Sequence, residues 1–177
     1  MKYLALLRGI NVGGNSLIKM VDLKEAVEKS GFKNVSTYIQ SGNVIFESEE
    51  KDTETITTKL EDNIKKIFHY NVRVIIKSDK QLAKIVSDIP VEWGKGEDLR
   101  RYIAFIKEPL TPNDLLKEMQ LREGIDSAKV GQGIVYMSTK LSGITKSGFS
   151  KLANKKIYQS LTIRNYNTTK KILELMQ

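Results

Sequence analysis

The order of apolar and polar positions along the chain is that of short strands alternating with amphipathic helices. Lys2 to Arg8 is an almost continuous apolar run before a glycine-rich segment, residues 9–14, and predicts a short buried strand. Met20, Leu23, Ala26 and Val27 then recur at the spacing of one helix face, and Gly31 is placed to end that helix in a left-handed cap. Residues 35–40 and 44–47 are rich in β-branched and aromatic side chains and flank a Gly42-Asn43 pair of the kind that closes a tight hairpin. Ile56, Leu60, Ile64, Ile67 and Phe68 form one apolar stripe after Asp52 and Thr53, and residues 72–76 return as a β-branched strand. The order βαββαβ is that of a split βαβ, or ferredoxin-like, unit.

Ser78-Asp79-Lys80-Gln81 has the spacing of a capping box and predicts a further short helix carrying Leu82, Ile85 and Val86 on its apolar face. The pattern dissolves over residues 88–99, where Pro90, Trp93, Gly94 and Gly96 stand among charges, so this stretch reads as a connection with Trp93 packing between two modules. The element order then repeats. Residues 101–107 predict a strand, Thr111-Pro112 opens a helix, and Val130 and residues 134–137 form a hairpin around Gly131-Gln132-Gly133. Phe149, Leu152, Ala153 and Ile157 suggest a helix and residues 161–163 a short strand. A closing helix bears Ile172, Leu173 and Met176 and is capped by Asn165 or Asn167. The expected fold is α+β: two tandem ferredoxin-like (α/β plait) subdomains with antiparallel sheets. They span residues 1–87 and 100–177, the second including the C-terminal helix, with a connection at 88–99.

Composition narrows the chemistry. A chain of 177 residues with 40% hydrophobic content is long enough to bury a core. With no cysteine, disulfides, thiolate metal sites and cysteine nucleophiles are excluded, and a cytoplasmic location is expected. The apolar run of residues 3–7 is too short for a signal-peptide core, and no stretch approaches the length needed to span a bilayer. The net charge of +8 is uneven: residues 140–177 hold eight basic side chains against Glu174 alone, and so carry seven of the eight positive charges. Such asymmetry marks either a surface for a polyanion or a solvated basic face.

Three segments are candidates for binding. Arg8-Gly9-Ile10-Asn11-Val12-Gly13-Gly14-Asn15-Ser16 ends a strand in a turn whose free amides suit an anion, with Arg8, Asn11, Gly13 and Gly14 as the candidate residues. It fits the P-loop spacing only with Asn15 where lysine belongs, and it fails the dinucleotide pattern because Asn11 stands where the second glycine should. Gln40, Ser41 and Asn43 flank the first hairpin turn, where a purely structural role is the simpler expectation. In Thr162-Ile163-Arg164-Asn165-Tyr166-Asn167-Thr168, Arg164 is suited to grip a phosphate or carboxylate beside a helix start, with Asn165 and Asn167 as amide partners or plain caps. The single histidine, His69, at the end of a predicted helix, reads as a surface or capping residue. No spacing of acids or histidines marks a catalytic set or a metal site, and no cofactor is indicated.

Taken together, Leu6-Leu7-Arg8-Gly9-Ile10-Asn11-Val12-Gly13-Gly14, Thr37-Tyr38-Ile39-Gln40-Ser41-Gly42-Asn43-Val44 and the segment from Thr162 to Thr168 resemble a bacterial family catalogued as a domain of unknown function, number sixteen ninety-seven. The resemblance implies two ferredoxin-like subdomains and no particular activity. It also shows departures: members commonly carry a basic residue where Asn15 stands and tryptophan where Tyr166 stands. Three functional readings remain. The leading one is a binder of an anionic ligand, whether nucleotide, phosphorylated metabolite or nucleic acid, at the glycine loop and the Arg164 turn. The others are an enzyme acting on a small polar metabolite and a structural or regulatory assembly module. Against base stacking on the sheet, the aromatic fraction is only 7%.

Overall fold

A computed structural model describes residues 1–11, 17–94 and 98–177. The chain divides into two compact units, one comprising Met1–Ala83 and Ile172–Gln177, the other Lys84–Lys171.

The first unit contains β1 (Lys2–Arg8), α1 (Met20–Lys29), β2 (Lys33–Tyr38), β3 (Asn43–Glu47), α2 (Thr53–Phe68) and β4 (Arg73–Ser78), and α3 (Asp79–Ser87) begins within it. Its four strands form one antiparallel sheet in the order β2-β3-β1-β4, the ferredoxin-like arrangement that the element order predicts. Alternate residues of the strands, Tyr3, Ala5, Leu7, Val44, Phe46, Val74 and Ile76, share one core with Leu23 and Val27 of α1 and Ile56, Leu60 and Ile64 of α2. Leu4 and Leu6 are also fully buried, which is why β1 reads as an unbroken apolar run rather than an alternation.

Packing dominates the energetics of these helices. Each fully buried Leu or Ile contributes about 1.5–3 kcal/mol, so Ile56, Leu60 and Ile64 far outweigh an exposed ion pair such as Lys24–Glu28, worth about 0–1 kcal/mol. The helix ends follow the local signals. Asp52 caps α2 by accepting from the Glu54 and Thr55 amides, and His69 closes the helix in the left-handed conformation at φ 61°. Gly31, at φ 84°, terminates α1. Ser78 and Gln81 form the expected reciprocal box: the Gln81 amide donates to Ser78 Oγ at 3.2 Å and the Ser78 amide to Gln81 Oε1 at 2.9 Å.

The second unit repeats the arrangement with β5 (Leu99–Ile106), α4 (Pro112–Glu118), β6 (Asp126–Gly131), β7 (Ile134–Lys140) and β8 (Leu161–Asn165), ordered β6-β7-β5-β8 and antiparallel throughout. α5 (Tyr166–Met176) starts here, and its residues from Ile172 onward count with the first unit. Pro112 occupies the first turn of α4 behind a Thr111–Asp114 capping box.

One expected element differs. In place of an α-helix carrying Phe149, Leu152, Ala153 and Ile157, three 3-10 helices run over Leu141–Lys146, Gly148–Asn154 and Lys156–Ser160. Ser147 and Lys155 break the run with ψ of 136° and 144°. Asp126 also holds the break, accepting from Ser147 Oγ at 2.7 Å and from the Gly148 amide at 2.8 Å. A Cβ at Gly148 would collide with the Gln120 carbonyl, so the chain passes at this point only as glycine. No helix among the described residues is long and apolar enough to cross a membrane.

Candidate functional site

In the first unit the sequence-predicted residues gather at the end of the sheet where β1 runs out. Asn11 adopts a left-handed backbone, φ 55°, just after β1. Its side-chain amide is fully engaged: Nδ2 donates to the Ile18 carbonyl at 3.0 Å and the Gln40 carbonyl at 3.1 Å, and Oδ1 accepts from the Ile18 amide at 2.8 Å. One side chain thus ties the chain just after β1 to Ile18 and to the β2–β3 turn. Gly13 and Gly14 lie outside the described residues.

The turn between β2 and β3 is wider than the expected Gly42-Asn43 hairpin. Asn43 belongs to β3, opposite Tyr38 and Leu6, and residues 39–42 make the connection. Gly42, at φ 72°, is required: an added Cβ would lie 2.9 Å from Leu7 Cβ and Ile10 Cδ1, and its carbonyl accepts from the Leu7 amide at 2.8 Å. Asn43 is completely buried and donates to the Tyr38 carbonyl at 3.1 Å and to Ser41 Oγ at 2.9 Å. Ile39 stands at φ 51° although it is β-branched and half-exposed, a conformation that costs about 1–2 kcal/mol. The strain therefore sits at the tip of the turn, next to Gln40, where little packing is gained in return.

Arg8 acquires a neighbour that residue spacing does not show. In the β1–β4 register Arg8 stands directly opposite Arg73. The helix-facing core takes Leu7 and Val74, the residues next to them, so both arginines belong to the opposite face. Directly opposite residues hold their Cβ atoms roughly 5 Å apart, and two like charges so placed repel.

A 450 Å³ cavity of the first unit lies elsewhere. It opens at the other end of the same sheet, between residues that include Met1, Phe32, Lys33, Glu47 and Lys59, and none of the sequence-predicted residues lines it. Among the described residues, no group of three or more His, Cys, Asp or Glu side chains gathers to hold a metal ion.

The second unit carries the other candidates on β8 and the first turn of α5. Asn165 is the cap: its Oδ1 accepts from the Asn167 amide at 2.9 Å, while its carbonyl accepts from Thr169 Oγ1 at 3.1 Å. Tyr166 packs edge-on against Trp93 at 5.3 Å, and Trp93 meets Tyr136 at 5.8 Å. The Tyr136 hydroxyl donates to the Ile85 carbonyl at 2.8 Å, and burial followed by the Asp88 charge pushes its pKa up to about 12. Trp93 of the connection is thus 4% exposed within an aromatic cluster of its own unit. Arg164 pairs in register with Ile103, and its Nη1 donates to the Ile163 carbonyl at 3.1 Å. Burial lowers its guanidinium to about 10, so the charge persists at neutral pH in a poorly solvated setting. Asn167 is exposed at the start of the helix.

The structure therefore divides the predicted residues by role. Asn11, Asn43 and Asn165 direct their side chains at neighbouring backbone and shape turns, whereas Arg8, with Arg73, and Arg164 bring charge.

No match was found among curated proteins. Among solved structures, a conserved bacterial protein from Streptococcus pneumoniae superposes with a TM-score of 0.87 over 99% of this chain and 98% of that one, at 24% identity; the likeness is one of fold. The family model described as protein of unknown function (DUF1697) matches residues 1–136, more than half of the sequence. The chain belongs to the DUF1697 family of proteins of unknown function.

Proposed function

We propose that this protein binds a ligand bearing phosphate groups, with Arg8 and Arg73 as its main contacts in the first unit. The observation that supports this most is the register that sets the two arginines opposite each other on one sheet face. A phosphate accepts charge-assisted hydrogen bonds from a guanidinium in a bidentate fork, and two arginines at directly opposed strand positions suit a di- or polyphosphate better than a single carboxylate. The Asn11 clamp supports the reading as well, because it fixes the chain just after Arg8 against Ile18 and the β2–β3 turn before any ligand arrives. In the second unit, Arg164 and Asn167 beside the start of α5 are the corresponding candidates for an anion.

A second reading, that the motifs serve the fold alone, draws support from the three asparagine side chains engaged with neighbouring backbone. One titration separates the two. Fluorescence anisotropy of a labelled nucleoside triphosphate and a labelled single-stranded RNA is followed at 50 and 200 mM salt, for the wild type and for Arg73→Glu and Arg164→Glu. Two phosphate contacts to a single strand predict an affinity loss of about sevenfold over that salt range, and Arg73→Glu should abolish binding of whichever probe is taken. No binding of either probe at 50 mM salt, or binding untouched by Arg73→Glu, defeats the phosphate reading and leaves the structural one.

A further inference from the structure

The second unit differs from the first in what covers the helix-facing side of its sheet. In the first unit α2 lays Ile56, Leu60 and Ile64 into the core at 1% exposure or less. At the same place in the chain order of the second unit stand the three 3-10 helices. Such helices are short and eclipse residues three apart, so they do not lay a continuous apolar stripe across a sheet. The consequence is visible in burial: Tyr102, Phe149, Tyr158 and Ile163 pack against the second core while remaining only partly buried. With Met137 and Thr139 they surround a cavity of about 300 Å³, lined mainly by apolar surface. That volume stands at the lower end of the roughly 300–1,000 Å³ usual for small-ligand sites, which combine an apolar wall with a few placed polar groups.

A basic cleft adjoins the cavity. Ser147 and Ser150 line both, and the cleft adds Arg122, Lys146 and Lys151 against one acid, Glu123. The other nearby carboxylate, Asp126, already accepts from Ser147 Oγ and from the amides of Gly148 and Arg122. With three cations against two carboxylates, Glu123 and Asp126, the cleft beside this apolar chamber keeps one net positive charge, which favours a ligand with an apolar body and a single negative charge.

We propose that this cavity binds a small organic acid, its aromatic or short aliphatic body against Tyr102, Phe149, Tyr158 and Ile163 and its carboxylate toward Lys146 and Lys151. The site lies within the second unit and is separate from the Arg8–Arg73 end of the first. The test titrates the full chain with 1-naphthylacetate and with the uncharged 1-naphthaleneethanol by isothermal calorimetry. The acid should bind more tightly than the alcohol. The double change Lys146→Glu, Lys151→Glu should weaken the acid by roughly two- to fivefold for each cation removed and leave the alcohol unchanged. Ala153→Trp, which places a large ring in the cavity, should abolish binding of both without lowering the thermal midpoint. No heat with either compound at millimolar concentration, equal affinity for acid and alcohol, or binding that survives Ala153→Trp in a folded protein would each overturn the proposal. Arg73→Glu serves as the control and should leave these affinities as they are.

Discussion

Replacing Asn11 by alanine isolates the contribution of one side chain to the shape of the candidate site. The substitution removes three hydrogen bonds, two donated to the carbonyls of Ile18 and Gln40 and one accepted from the amide of Ile18. At about 1 kcal/mol net for each, their loss amounts to about 3 kcal/mol. Ile18 is 4% exposed, so water does not fully replace the missing partner of its amide. Alanine must also hold the φ of 55° that asparagine tolerates, which adds about 1 kcal/mol. The expected destabilisation of the first unit is therefore about 4 kcal/mol for Asn11→Ala and about 3 kcal/mol for Asn11→Gly, which keeps the backbone freedom and loses the bonds. Because the chain has two units, a global melting curve is a blunt probe. Amide hydrogen exchange resolves the effect instead: protection of the Ile18 amide should collapse, and the β1 amides should lose protection in proportion to the loss of stability. A cost below about 1 kcal/mol for Asn11→Ala, or an Ile18 amide as protected as in the wild type, would refute the clamp.

Two further outcomes follow from the same structure. Gly42→Ala meets Leu7 and Ile10 at 2.9 Å and a φ of 72°, so it should cost about 2–5 kcal/mol, whereas Gly9→Ala, at φ 79° with no atom within 4 Å, should cost only about 1–2 kcal/mol; paired urea denaturations compare them. Partial burial disfavours the Asp126 carboxylate, but hydrogen bonds from Ser147 and from the Gly148 and Arg122 amides outweigh it and hold the pKa below the ordinary value. A depressed folded pKa gives stability that is complete above the unfolded value, about 3.9, and is lost as pH falls through the folded one. Wild-type stability should therefore decline below about pH 4, and Asp126→Asn should be less stable at neutral pH and flatter across that acid window, as read from denaturation midpoints against pH.

Local signals in the sequence carried much of the fold because they act over a few residues. The period-3.6 stripe of α2, the Ser78–Gln81 box, Pro112 at the start of α4, Gly31 and His69 at helix ends and Asn165 as a cap are each satisfied by neighbours within one or two turns, so their chemistry is readable without knowing the rest of the chain. The two ferredoxin-like sheets follow from the element order for the same reason, since hairpin strands must pair and the remaining strand has few places to go. The 3-10 run from Leu141 to Ser160 was not legible: its apolar spacing suits an α-helix, and what breaks it is Asp126, more than twenty residues before Gly148, together with the close approach of the Gln120 carbonyl. The site divides in the same way. Arg8, Asn11 and Arg164 are conspicuous in sequence, but Arg73 is one cation among many until the β1–β4 register sets it opposite Arg8. That the amides of Asn11 and Asn43 turn inward to hold backbone is likewise a matter of tertiary geometry. Register and close approach are relations between segments distant along the chain, set by how the whole core packs, and no local pattern of residues encodes them.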